Sequence, residues 1–245
     1  NMSFHIPIYQ RSYTWGANLQ VEKLLGDIRE FADEYRGNSS ADYYIANVIL
    51  KNQTRGFITE RIVIDGQQRI TTTILILCAV RDIYRKEIAT EEAKHEANVI
   101  QRSLYVEDGN VKRIKLNNME HQKTLDIILS GELDAINSFD KTTNYWRCYQ
   151  HIRRRFETMN EPQIREFSEI LDRVRVVSIF LDEKQDENAV FESINSAGKP
   201  LSGSDLIKNF VFSFKAYSIS LQKEKFLTDL YTTGFESLFS EAKKP

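Results

Sequence analysis

The chain has 245 residues, 41% of them hydrophobic and 28% charged, with a formal net charge of −2. That balance supports a globular protein of one or two domains with a sizeable core, and excludes a disordered chain or one wrapped in a global positive field. Two cysteines, Cys78 and Cys148, exclude a disulfide framework and read as buried thiols, and no apolar run reaches membrane-spanning length, so the expected location is the cytoplasm.

Residues 4–9 read as a short extended piece, with Pro7 forcing its neighbour out of the helical region. Leu24, Leu25, Ile28 and Phe31 have the spacing of an amphipathic helix over 19–35. Residues 43–51 and 56–64 are β-branched and aromatic around a turn-forming 52–55, which predicts an antiparallel hairpin. A long helix is expected over 72–97, apolar in its first half and charged in its second. Asp108-Gly109-Asn110 between 104–106 and 111–116 signals a second hairpin. Three helices are expected over 117–171, with breaks near Gly131 and Asn160-Pro162. A buried strand follows over 174–181, then helices over 187–194, 205–217 and 221–239. The sum is an α+β fold: a small sheet near the N-terminus, closed by the 174–181 strand, under a helical layer. The division expected is a core over 1–116 and a mainly helical part over 117–245 that lends its strand to the core. The abrupt pattern at both ends reads as an excised domain of a longer protein.

The densest chemistry lies in Ile64-Asp65-Gly66-Gln67-Gln68-Arg69-Ile70-Thr71-Thr72-Thr73, between a strand-like and a helix-like run. Gly66 permits a sharp turn and close approach of backbone to a ligand. The threonines sit where a helix would start and can cap its free amides, and that end of a helix attracts anions. Arg69 offers a fork that matches phosphate, Asp65 could hold a metal ion beside it, and Gln67 and Gln68 can orient a water or read a base edge. The competing reading is a turn in which Asp65 and Arg69 form a buried pair and the threonines only cap. The spacing is not that of a Walker P-loop.

Two further clusters accompany it. In the first, Tyr9, Tyr13 and Trp15 interleave with Gln10 and Arg11, a set that can stack on bases and contact phosphate or simply fill a groove. The second runs from Asn188 to Asn209, where Asn195, Lys199, Lys208 and Asn209 could converge on a ligand and Ser204 and Asp205 read as caps. A basic stripe of Arg147 with Arg153-Arg154-Arg155 reads first as a solvated face and second as a DNA-backbone contact. His5, His95, His121 and His151 have no metal-ligand spacing with the cysteines, which argues against zinc.

Taken in order, Ile6-Pro7-Ile8-Tyr9-Gln10-Arg11-Ser12-Tyr13-Thr14-Trp15, then Asp65-Gly66-Gln67-Gln68-Arg69, then Phe191-Glu192-Ser193-Ile194-Asn195 with Asp205-Leu206-Ile207-Lys208-Asn209, the chain resembles the N-terminal domain of the GmrSD-type modification-dependent restriction family, which includes SspE-like proteins. The resemblance runs from Phe4 to about Phe214. It implies a ParB/sulfiredoxin-like core with added helices, and a phage-defence role. It implies binding and hydrolysis of a nucleoside triphosphate, GTP foremost, with Mg2+. On that basis Asp65, Gln67, Gln68 and Arg69 are the catalytic set, with Asp65 on the metal. Gly66, Thr71, Thr72, Arg11, Asn195, Lys208 and Asn209 would bind nucleotide, and Tyr9, Gln10, Arg11, Tyr13 and Trp15 would sense DNA, modified DNA in SspE-like members. The nuclease itself would lie in a C-terminal domain or partner subunit beyond Pro245, and a homodimer is an assembly open to such a chain. The alternative function is a binding module that senses modified DNA without catalysis.

Overall fold

The computed structural model describes residues 3–182 apart from 8–9, 11, 37, 39, 56–57, 107–110 and 117–118, together with Gln185 and Val190. Within them the fold is α+β. The strands are β1 (Phe4–Ile6), β2 (Tyr43–Arg55), β3 (Ile58–Asp65), β4 (Tyr105–Val106), β5 (Val111–Lys112), β6 (Ile114–Leu116) and β7 (Val174–Leu181). The helices are α1 (Glu22–Glu34), α2 (Gln67–Ile83), α3 (Glu91–Ser103), α4 (Met119–Ser130), α5 (Asn144–Glu157) and α6 (Glu161–Leu171).

Five strands form one mixed sheet in the order β6-β1-β3-β2-β7, with the β2–β3 hairpin antiparallel and the other pairs parallel. Alternation decides the two faces. Val48, Leu50 and Val63 join the main core with the helices, while Ile49, Ile62, Ile64 and Leu181 form a small cluster on the other face, against Val190. α2 is buried almost all round and is the centre of the helical layer, packed against α5 and α3. The thiols of Cys78 and Cys148 are both buried there, and burial pushes Cys78 up to about 12. Among the described residues no helix is long and apolar enough to cross a membrane.

Five expectations need correction. The turn expected over 52–55 belongs to β2, which pairs with β3 as far as Arg55 opposite Ile58. The long helix over 72–97 is two helices. α2 begins at Gln67, because Gly66 at φ 95 makes the turn before it; a π-helical turn (Tyr84–Ile88) and Ala89 at φ 54 end it, and Thr90 accepts from the Ala93 amide to cap α3. The threonines therefore lie in the second turn, not at the cap. The run 111–116 breaks at Arg113: β5 pairs with β4, whereas β6 leaves to pair with β1, and the Phe4 amide donates to the Arg113 carbonyl at 2.7 Å. Finally, β7 is not buried. It is an edge strand with Val176, Val177, Ile179 and Phe180 each 43–48% exposed, so its β-branched run reflects pairing with β2 rather than enclosure. The helices expected over 205–217 and 221–239, and that over 187–194 apart from Val190, lie outside the described residues.

Candidate functional site

β3 delivers Asp65 to the sheet end, and a register shift between Ile49 and Leu50 of β2 lies opposite it. Such a shift re-aims the side chains at a strand end. Gly66 follows with positive φ, pressed against β2: a Cβ there would meet Val48 Cγ2 at 3.0 Å and Val48 Cα at 3.3 Å. Both the dihedral and the space therefore require glycine. The first intrahelical bond of α2 runs from the Ile70 amide to the Gly66 carbonyl at 3.1 Å. The amides of Gln67, Gln68 and Arg69 thus precede the hydrogen-bonded ladder, and the positive end of the helix dipole sits on the motif itself.

Two glutamine–threonine pairs follow at helical i, i+4 spacing, on neighbouring faces of α2. In one pair every polar atom has work within the protein. Gln68 Oε1 accepts from the amides of Thr14 (2.9 Å) and Trp15 (3.2 Å), and its Nε2 donates to the Ser12 carbonyl at 3.3 Å. Thr72 Oγ1 donates to the Gln68 carbonyl at 2.8 Å, so the Tyr13 hydroxyl donates to Thr72 Oγ1 at 2.7 Å. In the other pair, Gln67 Oε1 and Thr71 Oγ1 are buried and have no hydrogen-bond partner among the described residues. A buried polar group left in that condition costs about 1–3 kcal/mol.

The same contacts bring the second cluster onto the motif. Gln10 Nε2 donates to the Ile64 carbonyl at 2.8 Å. From the far side α5 holds the segment: Asn144 Nδ2 donates to the Tyr13 carbonyl, Cys148 Sγ to the Trp15 carbonyl, and the Tyr145 ring lies 5.1 Å from that of Tyr13. Burial raises the Tyr13 hydroxyl well above its ordinary range and the Cys148 thiol above its own, so both stay neutral. Tyr13 is a core residue with no ring face for a base, and Gln10 is 7% exposed; Trp15 is half-buried. Asn144, Tyr145 and Cys148 carry no motif signal in the sequence, although their i, i+1, i+4 spacing on a helix marks one face.

Asp65 and Arg69 are both half-buried, and no ion pair joins them among the described residues, so the buried-pair reading of this turn fails. A cation in the first turn of a helix opposes the dipole, and among the described contacts no carboxylate compensates Arg69. No three His, Cys, Asp or Glu side chains converge as metal ligands among the described residues, which leaves Asp65 as a single carboxylate at the turn. One carboxylate suits Mg2+, which takes one or two of them together with substrate phosphate oxygens. The basic stripe is partly spent: Arg153 pairs with Glu87 and Glu157, and Arg155 with Glu22. A cleft of about 80 Å³ between α1 and α6 is crossed by the Arg36 pairs to Asp33 and Glu166 and shares no residue with the motif. Tyr9, Arg11, Asn195, Lys208 and Asn209 lie outside the described residues.

No curated protein matches the chain. A family model, that of the GmrSD restriction endonuclease, N-terminal domain, matches residues 1–212, which includes the whole described sheet, the helical layer and the Asp65–Arg69 turn. The chain belongs to the GmrSD restriction endonuclease N-terminal domain family.

Proposed function

We propose that the turn at Gly66 and the first turn of α2 form a nucleoside triphosphate site, and that this domain binds and hydrolyses GTP or a similar nucleotide to regulate a DNA-cutting restriction endonuclease of phage defence. The observation that carries the reading is Arg69, a half-buried guanidinium held at the positive end of α2 with no carboxylate partner among the described residues. Such a placement is unfavourable for the empty protein and favourable once an anion lies between the guanidinium and the free amides. Asp65 would hold Mg2+, which supplies charge to the phosphate oxygens when bound. Family membership supports DNA as the target and a nuclease domain or subunit as the partner; modified DNA as the preferred target is part of the proposal. Arg11, Asn195, Lys208 and Asn209 are proposed as further nucleotide contacts, and Tyr9, Arg11 and Trp15 as the side that senses DNA.

The reading of this domain as a DNA-sensing module without catalysis has less support. Tyr13 and Gln10 are committed to internal contacts, and two of the four stripe arginines are tied to glutamates. The test is GTP and ATP hydrolysis with Mg2+ by the protein and by Arg69→Ala. A donor aimed at developing phosphate charge is worth ~3 kcal/mol, so turnover should fall roughly a hundredfold. Equal turnover in the two would sink the assignment.

A further inference from the structure

The motif contains its polar residues twice over: Gln67 with Thr71, and Gln68 with Thr72, each at i, i+4 and offset by one residue around α2. The segment 12–15 closes the Gln68–Thr72 face through the Thr14 and Trp15 amides and the Tyr13 hydroxyl. Among the described residues no hydrogen-bonding group answers the Gln67–Thr71 face, although it is covered. Gln67 is 5% exposed and Thr71 0%, yet Gln67 Oε1 and Thr71 Oγ1 have no hydrogen-bond partner among the described residues. Thr71 even forgoes the bond that Thr72 makes, from its hydroxyl to the carbonyl four residues back.

We propose that the two pairs divide the labour of the motif: Gln68 and Thr72 fasten the 12–15 segment, while Gln67 and Thr71 contact the ligand, and what they receive is an O–H or N–H donor. This rests on the nucleotide reading of the same turn. The chemistry follows from the atoms. A carboxamide oxygen only accepts, so Gln67 Oε1 repels a phosphate oxygen and needs a proton donor; a hydroxyl both gives and takes. Phosphate therefore belongs to Arg69 and the free amides, and the Gln67–Thr71 face takes a neutral donor-bearing group beside it. Two sources fit: the hydroxyls or amines of the nucleoside, and the water that attacks the phosphorus.

The experiment is steady-state hydrolysis and binding of a non-hydrolysable nucleotide analogue, with Mg2+, for the unsubstituted protein, Gln67→Leu, Thr71→Val and Thr71→Ser, together with ligand-free melting temperatures. Thr71→Val preserves shape and removes an unsatisfied buried hydroxyl, so its ligand-free melting temperature should hold or rise. A nucleoside donor predicts that analogue affinity falls roughly tenfold in Thr71→Val and Gln67→Leu, the size of one lost hydrogen bond. An attacking water predicts unchanged affinity and a fall in kcat of at least that size. Thr71→Ser should restore either. If both variants keep affinity and kcat while the unsubstituted protein turns over, the division of labour is overturned and the nucleotide site survives. If the unsubstituted protein neither binds nor hydrolyses any nucleotide, the nucleotide reading fails and this assignment falls with it.

Discussion

Gly66 and Arg81 show how much single positions decide here. Gly66 carries a backbone dihedral that L side chains avoid, and Val48 occupies the space a Cβ would need. Gly66→Ala should lower stability by about 1–3 kcal/mol, read from urea midpoints at constant slope; an unshifted midpoint would mean the turn relaxes freely. Arg81 is fully buried and satisfied. Its Nε and Nη2 donate to the Asp82 carboxylate, its Nη1 to Gln101 and the Leu129 carbonyl, and its Nη2 also to the Ile128 carbonyl, while the Tyr149 hydroxyl donates to Asp82 at 2.6 Å. The guanidinium thus ties α2 to the end of α4. Arg81→Met would strand the Asp82 charge in the core, and the expected loss is about 3–5 kcal/mol. A loss under 1 kcal/mol in the same denaturation measurement would show that the core admits water there. This node is structural, and its sequence signal was weak: an Arg-Asp pair inside an apolar run looks like one more exposed turn of helix.

At the scale of elements, the segment after β1 and the start of α2 behave as one unit, because Gln68 accepts from two consecutive amides of that segment. Gln68→Ala should speed hydrogen exchange at the Thr14 and Trp15 amides and leave the amides of α6 unchanged. Unchanged protection at 14 and 15 would assign the anchoring to α5 alone. The β2–β3 hairpin and most helix positions were legible because alternation is a local property; the turn expected over 52–55 was misplaced, since those residues pair with β3. The break at Arg113 was not, since it arises when the Phe4 amide takes the Arg113 carbonyl, a contact made by a distant segment. The exposure of β7 was not either, because a β-branched run looks the same at an edge and in a centre. The motif stood out as a polar cluster between apolar runs, but which glutamine of the pair is free depends on how the 12–15 segment closes one face of α2.

Across the whole molecule, one carboxylate joins three strands of the sheet. Glu60 on β3 lies 3.5 Å from His5 Nδ1 on β1 and accepts from Lys115 Nζ on β6 at 3.0 Å. The His5 ring beside it first, and the Lys115 ammonium after it, hold its carboxyl down at about 2 against the cost of burial. An acid whose folded pKa lies below its unfolded one stabilises the fold above the unfolded value, near 4.3, and that contribution drains away as pH falls toward the folded value. The protein should therefore lose melting temperature between roughly pH 4.5 and 2. Glu60→Gln keeps the shape and removes the titration, so it should be less stable than the unsubstituted protein at neutral pH and the gap should close as the pH drops through that window. Parallel melting curves for the two across the whole range would show that the Glu60 charge does not couple the strands. The coupling matters for the site because β3 ends at Asp65: the carboxylate that locks β1, β3 and β6 also fixes the strand that presents the turn. Acid loosening should consequently reach the proposed nucleotide site before global unfolding, and any affinity for the non-hydrolysable analogue should weaken at a higher pH than the one at which the melting transition collapses.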